Sequence, residues 1–277
     1  MDFIRKHPRI ALFLALLILF LGVGLDNRLK VVHYVIESSK ISKQIRIALV
    51  TDLHSCDYGE NQKDLVSALG DQNPDVILLG GDIFDDVLSD DNTLAFLDGI
   101  QGMAPTFYVS GNHEIWSRRY GEMAEQLKKR GVTILSGTNH QLTVGNQTIS
   151  ISGIDDPDYF TYEDSSQSTT SQLERATKEI QDDHFQILLA HRPESIKMYQ
   201  KYPFDLVLSG HAHGGQWRIP YLLNGLFAPN QGFFPKYAGG YYQLGQLDFI
   251  VSRGLAREST RLPRLYNRPE LVIVDVK

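Results

Sequence analysis

Cysteine is almost absent from this chain. Its 277 residues include one, Cys56, so no disulfide can close within the chain, and a protein so poor in thiols is at home on either side of a membrane. Low-complexity tracts and internal repeats are also missing, which excludes a solenoid and gives no sign of a disordered tail. Positive charge is scarce relative to negative. With 27 Lys and Arg against 33 Asp and Glu, the net charge is −6, whereas binding a phosphate backbone depends on clustered basic residues; a nucleic-acid partner is disfavoured. The 42% hydrophobic and 22% charged residues are ordinary for a globular protein. At this length a core can be buried without covalent staples.

Long hydrophobic runs are missing too, with one exception. Behind a basic opening that holds Arg5, Lys6 and Arg9, the stretch IALFLALLILFLGVGL is free of charge from Ile10 to Leu25. Sixteen residues is somewhat short for a full span and somewhat long for the apolar region of a cleaved signal. Because the run is apolar on every face, a core helix is a poor reading, and the expectation is an uncleaved transmembrane anchor. The basic residues before it favour a cytoplasmic N-terminus with the remainder outside, opposed in part by Arg28 and Lys30 on the far side. Residues 26–44 then read as a tether ending in a first strand, and residues 45–277 as one catalytic domain.

Within that domain a unit recurs: a short run rich in Val, Ile and Leu, a polar loop, and an amphipathic stretch. The runs are IRIALV, DVILLG, TFYVS, VTILS, TISISG, FQILLA, FDLVLS, LDFIVS and ELVIVDV. Several are apolar without alternation, as strands covered on both faces are. Helical patterns such as NQKDLVSALGDQ and GEMAEQLKKRG fall between them, so the domain is expected to be α/β with layered sheets and helices. Tyr159–Gln172 is expected to be a long surface loop.

Five of these runs end in loops of unusual composition. They read TDLHS with Asp52 and His54, GGD with Asp82, GNHE with Asn112, His113 and Glu114, AHRPE with His191, and GHAHGGQ with His211 and His213. Loops beyond the carboxyl ends of strands form the ligand crevice of open α/β sheets. Taken singly, a histidine after a strand is more often a satisfied hydrogen-bonding group than a ligand; five such loops in order are a different matter. Imidazole, amide oxygen and carboxylate together suit first-row cations such as Mn, Fe, Zn or Co better than Mg or Ca.

In this order the motifs D-x-H, GD, GNH(D/E), H and GHxH resemble those of the calcineurin-like metallophosphoesterases, from about Ile45 to the C-terminus. The segments YAGGYY, FIVSRGL and RLPRLYNRPELVIV, following GHAHGGQ, are similar to the membrane-associated bacterial phosphodiesterase branch, although the paired arginines of a twin-arginine signal are lacking. The resemblance implies a layered α-β-β-α sandwich. It also implies two divalent ions, one held by Asp52, His54 and His213, the other by Asn112, His191 and His211, with Asp82 bridging. On this pattern a hydroxide bridging the ions attacks phosphorus, His113 stabilises the transition state or protonates the leaving oxygen, and Glu114 orients His113.

The expected function is hydrolysis of a phosphodiester, lipid-linked or of the cell envelope, by an enzyme held at the cell membrane with its catalytic domain outside the cytoplasm. Three alternatives stay open: a phosphomonoesterase, a nucleotide-sugar or lipid pyrophosphatase of the same fold, and a non-catalytic scaffold. Oligomeric state is not legible. His211 and His213 are expected to point the same way along an extended segment, with Gly214 and Gly215 keeping the loop low for substrate. Asp85, Asp86, Asp90 and Asp91 read as a solvated acidic loop, Arg192 as a phosphate ligand or the partner of a nearby acid, Asp155, Asp156 and Asp158 as possible cleft residues, and Cys56 as buried and inert.

Overall fold

The computed structural model describes residues 7–178, 180–257 and 262–277. Two six-stranded sheets form its frame. In the first the order is β1 (Lys30–Ile36), β14 (Glu270–Val276), β2 (Ile45–Val50), β3 (Val76–Leu79), β4 (Thr106–Tyr108) and β5 (Thr133–Ile134). In the second it is β12 (Gly240–Leu244), β13 (Leu247–Val251), β9 (Leu206–Ser209), β8 (Phe185–Leu189), β7 (Gln147–Gly153) and β6 (Thr138–Val144). A short antiparallel ribbon joins β10 (Phe227–Ala228) to β11 (Gly232–Phe233). Strands β2 to β5 run parallel, as do β7, β8, β9 and β13.

The period-2 geometry of a strand explains why the central runs are apolar throughout. Ile47, Leu49, Val76 and Leu78 face Ile187, Leu189, Leu206 and Leu208 in a core between the sheets. Their neighbours Ala48, Val50, Ile77 and Leu79 face outward, under helices α2 (Lys63–Gly70), α3 (Asp91–Ile100) and α5 (Tyr120–Lys129), which contribute Leu65, Phe96 and Leu127. Leu188 and Val207 of the second sheet are covered likewise by Leu173 of α7 (Thr169–Thr177) and Ile196 of α8 (Ile196–Tyr199). The layers are therefore α-β-β-α, and each of the nine apolar runs is a strand. Two short helices, α4 (Asn112–Trp116) and α6 (Pro157–Tyr162), border the functional crevice.

The first strand expected in the stretch 26–44 is β1, which pairs residue by residue with β14 from Lys30↔Glu270 to Ile36↔Val276. The loop expected at Tyr159–Gln172 shrinks to residues 163–168. Its ends are helical because the Asp156 side chain accepts from the Asp158 N–H, while Ser168 and Ser171 cap each other at the start of α7. The transmembrane anchor expected at the N-terminus finds no support. Helix α1 (Pro8–Gly24) has 17 residues, about 26 Å at roughly 1.5 Å per residue, against a hydrocarbon core of about 30 Å. Among the described residues no helix is long and apolar enough to cross a membrane. The helix stops where it meets the domain: the Gly24 carbonyl accepts from the Tyr266 N–H, and a Cβ on Gly24 would sit 2.7 Å from the side chains of Leu265 and Tyr266. Its apolar side chains are nonetheless uncovered, with Leu12 61%, Phe13 63% and Ile18 71% exposed.

Candidate metal centre

Strands β2, β3 and β4 are parallel neighbours in one sheet, and β8 and β9 are parallel neighbours in the other, so the five motif loops leave the same end of the sandwich. Backbone hydrogen bonds lock them together. The Asp52 N–H donates to the Gly81 carbonyl at 3.0 Å, the His54 N–H to the Asp82 carbonyl at 2.9 Å, and the His211 N–H to Asp52 Oδ1 at 2.8 Å. Asp52, His54, Asp82, His211 and His213 all have φ between 46° and 65°, the left-handed region that non-glycine residues avoid. Such strain persists only where surrounding structure over-determines it, and it concentrates at functional sites.

Among the described residues the side chains meet in three groups. Two share Asp82: Asp52, His54, Asp82 and His213 form one, Asp82, His191 and His211 the other. The third joins His54, Asp85 and His113, and within each group candidate ligand atoms lie within 4.8 Å of one another. Asp82 Oδ2 is 3.1 Å from His191 Nε2 and 3.6 Å from His54 Nε2. His54 Nε2 is 3.2 Å from His213 Nε2, which in turn is 3.4 Å from Asp52 Oδ1. The opposite ring nitrogens have other partners. His54 Nδ1 donates to Asp85 Oδ2 at 3.0 Å, His191 Nδ1 to the Gly80 carbonyl at 2.8 Å, and His211 Nε2 to Asn230 Oδ1 at 2.8 Å. Each bond keeps a proton on the nitrogen turned away from the group, so the nitrogen facing the group is the one free to exchange its proton for a cation, which is how metal-ligating histidines are prepared.

Two buried oxygens complete the pattern. Among the described residues Asp52 Oδ2 and Asn112 Oδ1 have no hydrogen-bond partner, an expensive state for a buried acceptor unless a cation takes the lone pair. The donor set and these orphaned oxygens fit divalent ions.

Electrostatics of the protein alone show how crowded the cluster is. Burial pushes the Asp52 carboxyl up, whereas Asp82 is held well below the usual carboxylate range against burial by His191, His113 and His54. His191 is held up to about 10, because the Asp82 charge outweighs the burial that pushes it down. Burial and the neighbouring cations His191 and His54 push His211 and His213 well below the usual imidazole range, keeping both neutral.

His113 lies beside the first group, its ring 4.3 Å from that of His54 and packed on Trp116 at 5.0 Å. Its N–H donates to Asp82 Oδ1 at 2.8 Å, and its Nδ1 to Asp86 Oδ1 at 2.6 Å. Glu114 does not orient His113, contrary to expectation. Its buried carboxylate accepts from the N–H groups of Asp82, Ile83, Phe84 and Gly111 at 2.7–3.1 Å, bracing the turn that carries Asp82. Burial and the Asp82 charge push its pKa up to about 7.

Other readings change in detail. The 211–213 segment is not extended, since Ala212 is helical between two left-handed histidines. Gly214, at φ 63°, is required by Asn267, whose Oδ1 a Cβ would approach to 2.1 Å, and Gly215 packs on Gly225; neither is explained by room for substrate. Asp85 is buried and belongs to the site. Asp90 pairs with Arg119, and Asp91 accepts from Ser89. Arg192 is tied to Asp156 and, at 3.2 Å, to Asp158, so it is the partner of acids. Asp155 is buried and accepts from Ser110 and Gln172 at 3.0 and 2.8 Å, away from the cleft. Cys56 is buried and accepts from the Arg257 N–H at 3.2 Å. Sequence reasoning missed Asn230 as a partner of His211, and Gly254, where at φ 71° a Cβ would lie 2.6 Å from the Cβ of Asp52.

Residues 45–215 match the calcineurin-like phosphoesterase profile. The chain belongs to that family. Phosphodiesterase YaeI of Escherichia coli is 32% identical over 217 residues, 76% of this chain and 73% of the relative. Metallophosphoesterase YkuE of Bacillus subtilis is 29% identical over 244 residues, 84% of this chain and 79% of the relative. Among solved structures, phosphopantetheinyl hydrolase PptH of Mycobacterium tuberculosis superposes with a TM-score of 0.52 at 12% identity, covering 82% of this chain and 96% of that one; this is a likeness of fold alone. As a calcineurin-like phosphoesterase, the chain is a metal-dependent hydrolase of phosphoesters.

Proposed function

We propose that this enzyme is a two-metal phosphodiesterase that works at a membrane surface. The two ligand groups sharing only Asp82, together with the orphaned oxygens of Asp52 and Asn112, carry the reading. Asp52, His54 and His213 would hold one ion, Asn112, His191 and His211 the other, with Asp82 contributing to both. When bound, the ions supply charge neutralisation at the phosphoryl oxygens and a water acidic enough to ionise near neutral pH. His113, its ring placed by the hydrogen bond from Nδ1 to Asp86, would deliver a proton carried on its other ring nitrogen to the departing oxygen and be left as the neutral imidazole.

A diester is favoured by what surrounds the cluster. No Lys or Arg is among the described residues lining the adjoining cavity, and Arg192 is occupied by carboxylates, so among the described residues no lysine or arginine offsets the second charge of a monoester. The name of the E. coli relative agrees. With Mn2+ the protein should hydrolyse bis(p-nitrophenyl) phosphate at least about tenfold faster than p-nitrophenyl phosphate, and chelation should abolish both activities. Chelator-resistant turnover would sink the metal-dependent reading, and a monoester preference would sink the diester.

Support for the membrane surface comes from α1, uncovered and apolar on all sides, with Arg5, Lys6 and Arg9 at its start in the sequence. Apolar burial together with basic residues is how interfacial helices bind anionic lipid. Deleting residues 1–19 spares the Phe20–Tyr266 ring contact at 4.9 Å. The deletion should leave turnover of the p-nitrophenyl diester intact and reduce co-sedimentation with anionic phospholipid vesicles at least about tenfold. Vesicle binding equal to that of the full chain would assign the helix another role.

A further inference from the structure

A cavity of about 580 Å³ opens directly on the metal centre, with His54, His113 and His213 on its floor. Its walls are of a different kind: Trp217, Leu226, Phe227 and Phe233. The volume lies within the roughly 300–1,000 Å³ of ligand-holding pockets. Resting on the phosphodiesterase reading above, we infer that this cavity receives a hydrocarbon chain esterified to the phosphate under attack, so that the substrate is an amphiphile with its phosphodiester at the histidines and its chain along the aromatic wall.

The wall is built to a fixed distance from the phosphoryl site. Phe227 and Phe233 are cross-strand partners in the β10–β11 ribbon, with ring centroids 5.3 Å apart. The turn of that ribbon carries Asn230, whose Oδ1 accepts from His211 Nε2 at 2.8 Å and from Arg192 Nη1 at 2.6 Å. The ribbon is thereby bolted to the metal centre by the residue between its two phenylalanines. On the opposite side the Trp217 indole N–H donates to the Pro263 carbonyl at 2.9 Å, and the Leu226 N–H donates to the carbonyls of Gly215 and Trp217 at 2.9 and 2.8 Å. Despite this rigidity Phe227 is 47% and Phe233 71% exposed. Large aromatic side chains held rigid yet left open to water mark a binding surface.

The chemistry of the wall selects among occupants. A sugar or a nucleobase would present polar groups, and the one polar side chain among the described wall residues, Gln216, donates to the Leu262 carbonyl. The phenyl rings meet at 68°, which gives a stacking base no parallel platform. A flexible chain needs neither. Continuity with the N-terminal helix points the same way: Trp217 pairs with Leu265 in an isolated bridge, and Leu265 and Tyr266 pack on Gly24 at the end of α1. The cavity wall and the uncovered apolar helix are joined through two residues.

The test is a series of methyl, hexyl and decyl p-nitrophenyl phosphates, assayed with the full chain and Mn2+ below the concentrations at which they self-associate. The expected result is a rise in kcat/KM of about tenfold or more from methyl to hexyl, mainly through KM, since each buried methylene adds favourable transfer free energy. Phe233→Ser and Trp217→Ser should flatten the series; both positions are substantially exposed, so truncation empties no core. Titration with decyl and methyl phosphate, followed by tryptophan fluorescence, gives a readout free of turnover, and tighter binding of the decyl ester is expected. Hydrolysis at equal kcat/KM along the series overturns the inference and leaves the phosphodiesterase standing. A length dependence kept in full by both variants overturns the placement of the chain, and failure to hydrolyse any ester overturns inference and function together.

Discussion

Asp82→Asn should fold and lose about three orders of magnitude in kcat/KM, with its bound metal falling by half or more. The size follows from sharing. Loss of a contact that merely positions a ligand costs about 10- to 100-fold in metal affinity or activity, and Asp82 is the one residue common to both donor groups. A penalty of that order at each site multiplies to about 10²–10⁴, and a thousandfold is about 4 kcal/mol. An amide also cannot satisfy the geometry on both sides. Oδ1 accepts from the His113 N–H at 2.8 Å and needs an oxygen there, which turns the NH2 toward His191 Nε2, 3.1 Å from the present Oδ2. That NH2 brings a donor where a cation should sit, and no negative charge. Elemental analysis alongside diester hydrolysis checks the prediction. Activity within tenfold of the parent, or full metal content, would remove Asp82 from the centre of the site.

The seven candidate ligands stood out because each sits in a short loop straight after an apolar run, and the order of the loops is informative where any one is not; the fold gathers six of them, all but Asn112, into the groups that share Asp82. The layering was legible for a related reason: strands such as Ile45–Val50 feed alternate residues to two different cores, so hydrophobicity alone reveals them. Edge strands are harder to see. β6 is half exposed along its length and does not compete with the central runs for notice, whereas the alternation of β1 marked it as the strand of the tether. Supporting residues were illegible for another reason. Asp85 lies in a run of four closely spaced aspartates, and nothing in composition separates the one buried against His54 from those at the surface. Glu114 follows His113 directly in sequence yet binds the backbone of another loop. Gly254, about 200 residues from Asp52, matters because the antiparallel return of β14 beside β2 brings the end of the chain under the first motif. Contacts of that kind belong to topology, which local pattern does not encode.

The second large effect expected is at His113. His113→Asn should lower kcat about 10²- to 10⁴-fold on a dialkyl phosphodiester, the range of general acid catalysis, and no more than about tenfold on bis(p-nitrophenyl) phosphate. The contrast arises because an alkoxide leaves only with a proton, whereas nitrophenolate departs without one. Asparagine keeps the backbone N–H that donates to Asp82. His113 clusters with His54 and Asp85 but not with Asp82, and the two groups that share Asp82 keep every member, so metal content and KM should change little. Equal losses on the two substrates would instead make His113 a stabiliser of developing phosphoryl charge, since that charge forms whichever group leaves. Asp86 supplies an independent check. Its hydrogen bond at 2.6 Å to His113 Nδ1 orients the ring toward the departing oxygen, so Asp86→Asn should reproduce the leaving-group dependence in weaker form. A uniform loss in Asp86→Asn alongside a leaving-group-dependent loss in His113→Asn would mean that Asp86 serves the site in some way other than aiming the ring for proton delivery.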